Sequence, residues 1–235
     1  MLYLIPLSIG IVSLILFLVF RVKQKRVIAV CLKGFTSLMF ITTALVAWLT
    51  SNNPHSTFGI FVIIGLFFGL LGDVFLDLKF MSKDKDDMYT RLGFISFGIG
   101  HILFIIGLFV NFFNFGLSVL YIILPVIITL VFVGLVLIME KVSPIKYQNM
   151  RPFVVAYGFI LFLAVTLYMS AAIQSGWQIR TVWMFAIALI VFAISDLILN
   201  NTYFAPGYNT PAFIISNHIV YYAAQFTIAV SLGLY

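Results

Sequence analysis

The sequence has one cysteine, Cys31, and only seven acidic residues among 235. A lone cysteine in an apolar run excludes a disulfide framework and a cysteine-rich metal site, and its expected role is inert packing. Charged residues make up 9% of the chain, too few to give a water-soluble globule of this size its polar surface. The thirteen Lys and Arg residues bring the formal net charge to +6, yet they are scattered over short connections and never form a basic stripe. Nucleic acid is therefore not an expected partner.

What fills the sequence instead is hydrocarbon: 63% of the residues are hydrophobic and the mean hydropathy is +1.19. A helix needs roughly 20 apolar residues to cross the hydrocarbon core of a bilayer. Stretches of that length run from about Leu2 to Phe20, Val27 to Thr50, Phe58 to Leu78, Leu92 to Val110 and Leu117 to Met139. Three more run from about Pro152 to Gln174, Thr181 to Asn200 and Pro211 to Tyr235. The expectation is an all-α polytopic membrane protein of eight transmembrane helices, a single transmembrane domain over 1–235 with no room for a soluble one. The first stretch leads directly into Arg21, Lys23, Lys25 and Arg26 without a small-residue cleavage site, and so is read as a retained helix.

Positive charge alternates along the connections. The first holds Arg21, Lys23, Lys25 and Arg26, the third Lys79, Lys83, Lys85 and Arg91, and the fifth Lys141, Lys146 and Arg151. The second and fourth hold none, and the sixth only Arg180. The positive-inside rule then puts the odd connections in the cytoplasm and both termini outside, with the chain in a cell (inner) membrane. The seventh connection, Asn201 to Thr210, lacks the charge that this orientation asks of it, which leaves a merged or re-entrant final pair open.

The two ends of the sequence share a pattern. Lys33-Gly34-Phe35 resembles Tyr157-Gly158-Phe159, and the run Gly72-Asp73-Val74-Phe75-Leu76-Asp77 resembles Ser195-Asp196-Leu197-Ile198-Leu199-Asn200. His101 and His218 each follow in the next helix. Either four helices are duplicated, making two parallel repeats over 1–110 and 117–235, or so biased a composition produced the match by chance.

Charge inside a membrane is costly, on the order of 2.5 to 3.5 kcal/mol per group on insertion scales, so the charges kept there face a cavity or one another. Lys33, Asp73, Asp77 and Asp196 share one depth in the inferred topology. His101, Asn217 and His218 lie somewhat deeper, and Tyr222 and Gln225 deeper still. Residues three or four apart share a helix face, so Asp73 with Asp77, and Tyr222 with Gln225, are expected to point together. Each also has a plainer reading. Asp77 serves as an interfacial cap, Lys33 snorkels to the headgroups or pairs with a buried aspartate, and the histidines bond between helices. Asp84, Asp86 and Asp87, interleaved with Lys83 and Lys85, read as a solvated loop, and His55 as a loop residue.

Taken together, Lys33-Gly-Phe-Thr36, Gly-Leu-Leu-Gly-Asp73, Phe97-Gly-Ile-Gly-His101, Ile-Ser195-Asp196 and Tyr222-Ala-Ala-Gln225 resemble the YhhN family of eight-helix membrane proteins, which includes the lysoplasmalogenases. The family often has Lys-Pro where this chain has Lys33-Gly34, and Asn200 stands where a second Asp77 would fall. The resemblance implies a membrane hydrolase that cleaves the vinyl-ether bond of a lysoplasmalogen to a fatty aldehyde and a glycerophospho-alcohol such as glycerophosphoethanolamine. It carries over Asp73 and Asp196 as the catalytic residues. Lys33, Asp77, His101, Asn217, His218, Tyr222 and Gln225 are the candidates for binding substrate. The expected partners are a lysophospholipid or other ether lipid and the membrane lipids, and neither a metal nor another cofactor is expected.

A vinyl ether suits such a pair, because protonating its outer alkene carbon gives an oxocarbenium ion that water then attacks, a reaction that needs an acid and a base. Two carboxyls in one chamber of low dielectric would divide those roles. A small proton-coupled transporter or lipid-handling protein is the alternative, since repeats and intramembrane carboxylates describe carriers too. A retinal-type photoreceptor would need a lysine within a late helix, and the last four spans hold none.

Overall fold

The structure, a computed structural model, describes residues 2–54, 56–81, 83–112 and 119–234. His55 and the start of the fifth expected span lie outside the described residues. Among the described residues there are eight α-helices and no strand: α1 Leu4–Val22, α2 Arg26–Leu49, α3 Thr57–Leu78, α4 Asp86–Phe112, α5 Leu120–Val142, α6 Arg151–Gln174, α7 Arg180–Phe204 and α8 Pro211–Ser231. All eight are long and apolar enough to cross a membrane. Ile127, Leu130, Val131, Leu135 and Ile138 of α5 all lie exposed, as they can where lipid tails are the solvent.

The helix ends follow local chemistry. The Ser56 hydroxyl caps α3 by accepting from the Gly59 amide at 3.3 Å, and it also accepts from the Trp48 indole at 3.0 Å. Asp86 and Asp87, expected in a loop, form the first turn of α4, where the helix dipole favours negative charge. The final pair is not merged: α7 ends at Phe204, Gly207 turns the chain at φ +84°, and Pro211 opens α8. Cys31 is exposed on α2 rather than packed inside.

The chain divides into two compact units, Met1–Gly107 with Ala229–Tyr235, and Leu108–Ile228. In the first, Ser13 of α1 and Thr36 of α2 share a hydrogen bond of 2.8 Å, and Phe17, Phe40, Phe58 and Leu66 are completely buried. α3 and α4 meet at Gly65 and Gly100: a Cβ at Gly100 would lie 2.8 Å from the Gly65 carbonyl oxygen, so the approach requires glycine.

In the second unit, Tyr168 of α6 stacks on Phe185 of α7 with ring centres 4.4 Å apart, and Phe192 of α7 meets Tyr221 of α8 edge-on at 5.4 Å. α5 contains Pro125, which cannot donate to the carbonyl four residues back, that of Tyr121. The Ser170 hydroxyl of α6 donates to that carbonyl instead, at 2.8 Å. A neighbouring hydroxyl that satisfies the backbone group freed by a proline is what lets a helix keep that proline inside a membrane.

Candidate active site

In the first unit α2 presents Lys33 and Ser37, and α3 presents Asp73 and Asp77, each pair four residues apart and so on one helix face. The two pairs interlock. The Lys33 ammonium lies 3.4 Å from Asp73 and 3.2 Å from Asp77, and the Ser37 hydroxyl donates to the other Asp73 oxygen at 2.6 Å. Arg21, in the last turn of α1, donates to the far oxygen of Asp77 at 3.4 Å. Two cations thus meet two carboxylates, which allows charge to persist away from water. Lys33 is 4% exposed, so it is an ion-pair partner inside the unit and does not snorkel, and Asp77 is a buried ion rather than an interfacial cap.

His101 of α4 is buried in the same unit, its Nδ1 2.7 Å from the Phe97 carbonyl oxygen and its ring against Phe104. Phe97 also fills the space beside Gly72, where a Cβ would meet its ring at 2.7 Å. The small residue before Asp73 therefore accommodates α4.

The second unit repeats the pattern with other chemistry. The Tyr157 hydroxyl of α6 donates to the carboxylate of Asp196 on α7, where in the first unit the Lys33 ammonium of α2 pairs with Asp73 on α3. His218 of α8 places Nδ1 2.7 Å from the carbonyl oxygen four residues back, that of Ile214, as His101 does with Phe97. At the place matching Asp77, the Asn200 amide donates to the Tyr147 hydroxyl at 2.9 Å. Burial pushes the Tyr147 hydroxyl above its ordinary pKa, so it stays a neutral partner.

The Asn217 amide donates to the Ser195 carbonyl at 2.7 Å, which ties α8 to the turn of α7 that carries Asp196. The buried Ser195 hydroxyl has no hydrogen-bond partner among the described residues. Tyr222 is fully buried. The Gln225 amide donates to the Tyr221 hydroxyl, at 2.9 Å. The other end of this amide, Gln225 Oε1, is buried and accepts from none of the described residues, which leaves an acceptor for a ligand hydroxyl or water.

Sequence reasoning passed over Arg21, Ser37 and the role of Tyr157. Ser37 was findable as the polar residue one turn after Lys33, and Tyr157 as the residue that aligns with it. Arg21 carried no signal beyond its place at a helix end.

In comparisons with known proteins, the YhhN family model matches residues 28–232, nearly the whole chain. No curated protein and no solved structure gives a match.

Proposed function

This chain belongs to the YhhN family, and we propose that it is a lysoplasmalogenase that works within the membrane, adding water across the vinyl-ether bond of a lysophospholipid. The observation that carries this reading is an aspartate in each unit, Asp73 and Asp196, set within an apolar helix and held by a donor from the helix before it. Such carboxyls supply acid and base without leaving the bilayer, where the alkenyl chain of the substrate lies.

In this reading a carboxyl protonates the outer carbon of the double bond, and the electron pair of the ether oxygen stabilises the resulting oxocarbenium ion. A carboxylate then takes a proton from water as its oxygen bonds to the cationic carbon. The hemiacetal so formed collapses to a fatty aldehyde and the free glycerol hydroxyl, so one water is consumed and the carboxyls are restored. The division of labour follows that of glycosidase pairs, which face a similar cation.

The partners suggest the roles. Lys33 and Ser37 both offer donors to Asp73, an arrangement suited to a carboxylate that draws the proton from water. Asp196 takes the acid role, because a tyrosine hydroxyl such as that of Tyr157 can donate to a carboxylate or accept from a carboxylic acid, whereas an ammonium can only donate.

The test is aldehyde release by purified protein from alkenyl, alkyl and acyl lysophospholipids. Aldehyde is expected from the alkenyl lipid alone, and its loss is expected in Asp73→Asn and in Asp196→Asn, both still folded in detergent. Lys33 retains Asp77 at 3.2 Å when Asp73 is neutralised, which supports folding of that variant. Wild-type rates in both variants would overturn the assignment. The recurrence of an aspartate within an apolar helix in both units also supports a second reading, a proton-coupled lipid carrier. That reading predicts counterflow in proteoliposomes with no covalent change in the lipid.

A further inference from the structure

Two cations share one aromatic ring where α1 and α3 end. The Arg21 guanidinium lies 3.9 Å from the centre of the Phe80 ring, and the Lys79 ammonium lies 5.2 Å from it. Both are sheltered, with side chains 10% and 12% exposed. Arg21 has one hydrogen bond among the described residues, the 3.4 Å contact with Asp77, an aspartate whose other oxygen receives Lys33. A guanidinium has five N–H donors in a planar fork, so most of that fork has no acceptor among the described residues. The carboxylate beside Lys79 is Asp86 at 3.7 Å, which is 55% exposed and therefore screened by water.

Two sheltered like charges on one ring repel, and a ring face offsets only part of that cost. Burial above all pushes Lys79 down to about 8, with Arg21 of α1 adding to the effect against Asp86 of α4 and Asp77 of α3. An anion on the Arg21 fork within reach of Lys79 would relieve both the repulsion and the desolvation. The end of two membrane helices is also the depth at which lipid phosphates lie. Lys33, a candidate for binding substrate, is instead paired with Asp73 and Asp77.

We propose that Arg21 and Lys79, held on Phe80, bind the phosphate of a lysophospholipid headgroup. The proposal rests on the reading of the chain as acting on such a lipid, and it fixes where the charged end of the substrate docks. Arginine supplies the fork that fits two phosphate oxygens and lysine a point charge beside it. Because the bound anion favours the charged lysine, binding weakens as pH rises above about 8.

The test is equilibrium binding to protein in non-ionic detergent, with three probes: an alkyl-ether lysophosphatidylethanolamine, an alkylglycerol of the same chain without phosphate, and inorganic phosphate. The alkyl ether has no double bond to protonate, so its binding is read whether or not the chain releases aldehyde from anything. Arg21→Gln and Lys79→Gln are each expected to weaken the phospholipid about tenfold or more, the worth of a charged hydrogen bond. Neither should change the alkylglycerol, and Lys79→Gln should also remove the fall in affinity above about pH 8. Lys79→Gln leaves the buried contact of Arg21 with Asp77 intact and stays folded even if Arg21→Gln, which breaks that contact, does not. Equal phospholipid binding by the wild type and Lys79→Gln would overturn the site. Inorganic phosphate binding as tightly as the phospholipid would overturn the lipid as its source.

Discussion

Tyr157 donates its hydroxyl to Asp196, and the two stand in the second unit where Lys33 and Asp73 stand in the first. The same helix step, from α2 to α3 and from α6 to α7, thus joins a donor to an aspartate twice, once with a charged donor and once with a neutral one. Removing the two donors should therefore have unequal consequences. Tyr157→Phe loses one hydrogen bond and is expected to cost about 1 to 3 kcal/mol of stability, with aldehyde release reduced about tenfold at little change in KM. Lys33→Met leaves two carboxylates without their shared cation and is expected to cost about 3 to 5 kcal/mol. Denaturation in detergent checks the order, and a Tyr157→Phe variant less stable than Lys33→Met would contradict it.

Ser170→Ala strands the Tyr121 carbonyl that faces Pro125, at a cost of about 1 to 3 kcal/mol. In a Pro125→Ala background the backbone N–H returns and the Tyr121 carbonyl regains a partner of its own. Ser170→Ala should then cost much less, and a double-mutant cycle of thermal midpoints measures the difference. Strict additivity would show that the serine is not compensating for the proline.

Gly100→Ala puts a Cβ 2.8 Å from the Gly65 carbonyl oxygen, a backbone atom that cannot rotate away, so α3 and α4 must separate. Gly158 and Gly134 have nothing of the described residues beyond their own helix backbone within 4 Å of an added Cβ, and alanine at either is expected to be neutral or slightly stabilising. Thermal unfolding of the three variants tests the contrast. Gly100→Ala melting with the wild type would mean that the close approach is dispensable.

Lys79 titrates at about 8 in the folded chain, against an ordinary value of 10.5. Between these values the unfolded chain binds more protons than the folded one, so stability rises with pH through that window. The wild-type midpoint is expected to gain relative to Lys79→Met as pH goes from about 8 toward 10. A gap that stays constant over that range would remove the lysine as the cause.

How much of this was legible in advance can be judged residue by residue. The eight helices were, because nothing but a membrane span accounts for repeated runs of about 20 apolar residues. Asp73 and Asp196 stood out for the same reason, as charges with apolar residues on both sides, and the matched segments of the two ends set Tyr157 beside Lys33 without saying that it would bond Asp196. The start of α4 was missed because Asp86 and Asp87 look like loop residues until the helix dipole is counted in their favour.

The choice of partners belongs to the tertiary structure alone. Lys33 could have reached for the headgroups, Gln225 could have bonded Tyr222 rather than Tyr221, Cys31 could have faced inward, and nothing in Arg21 foretold Asp77. In water a helix announces its buried face, because that face is the apolar one. In a bilayer the lipid is as apolar as the protein interior, so a span is apolar all round and its sequence does not say how it is rotated. The sequence determined that these helices cross the membrane and which polar groups they carry in; only the packing of one helix on the next decided which of those groups meet.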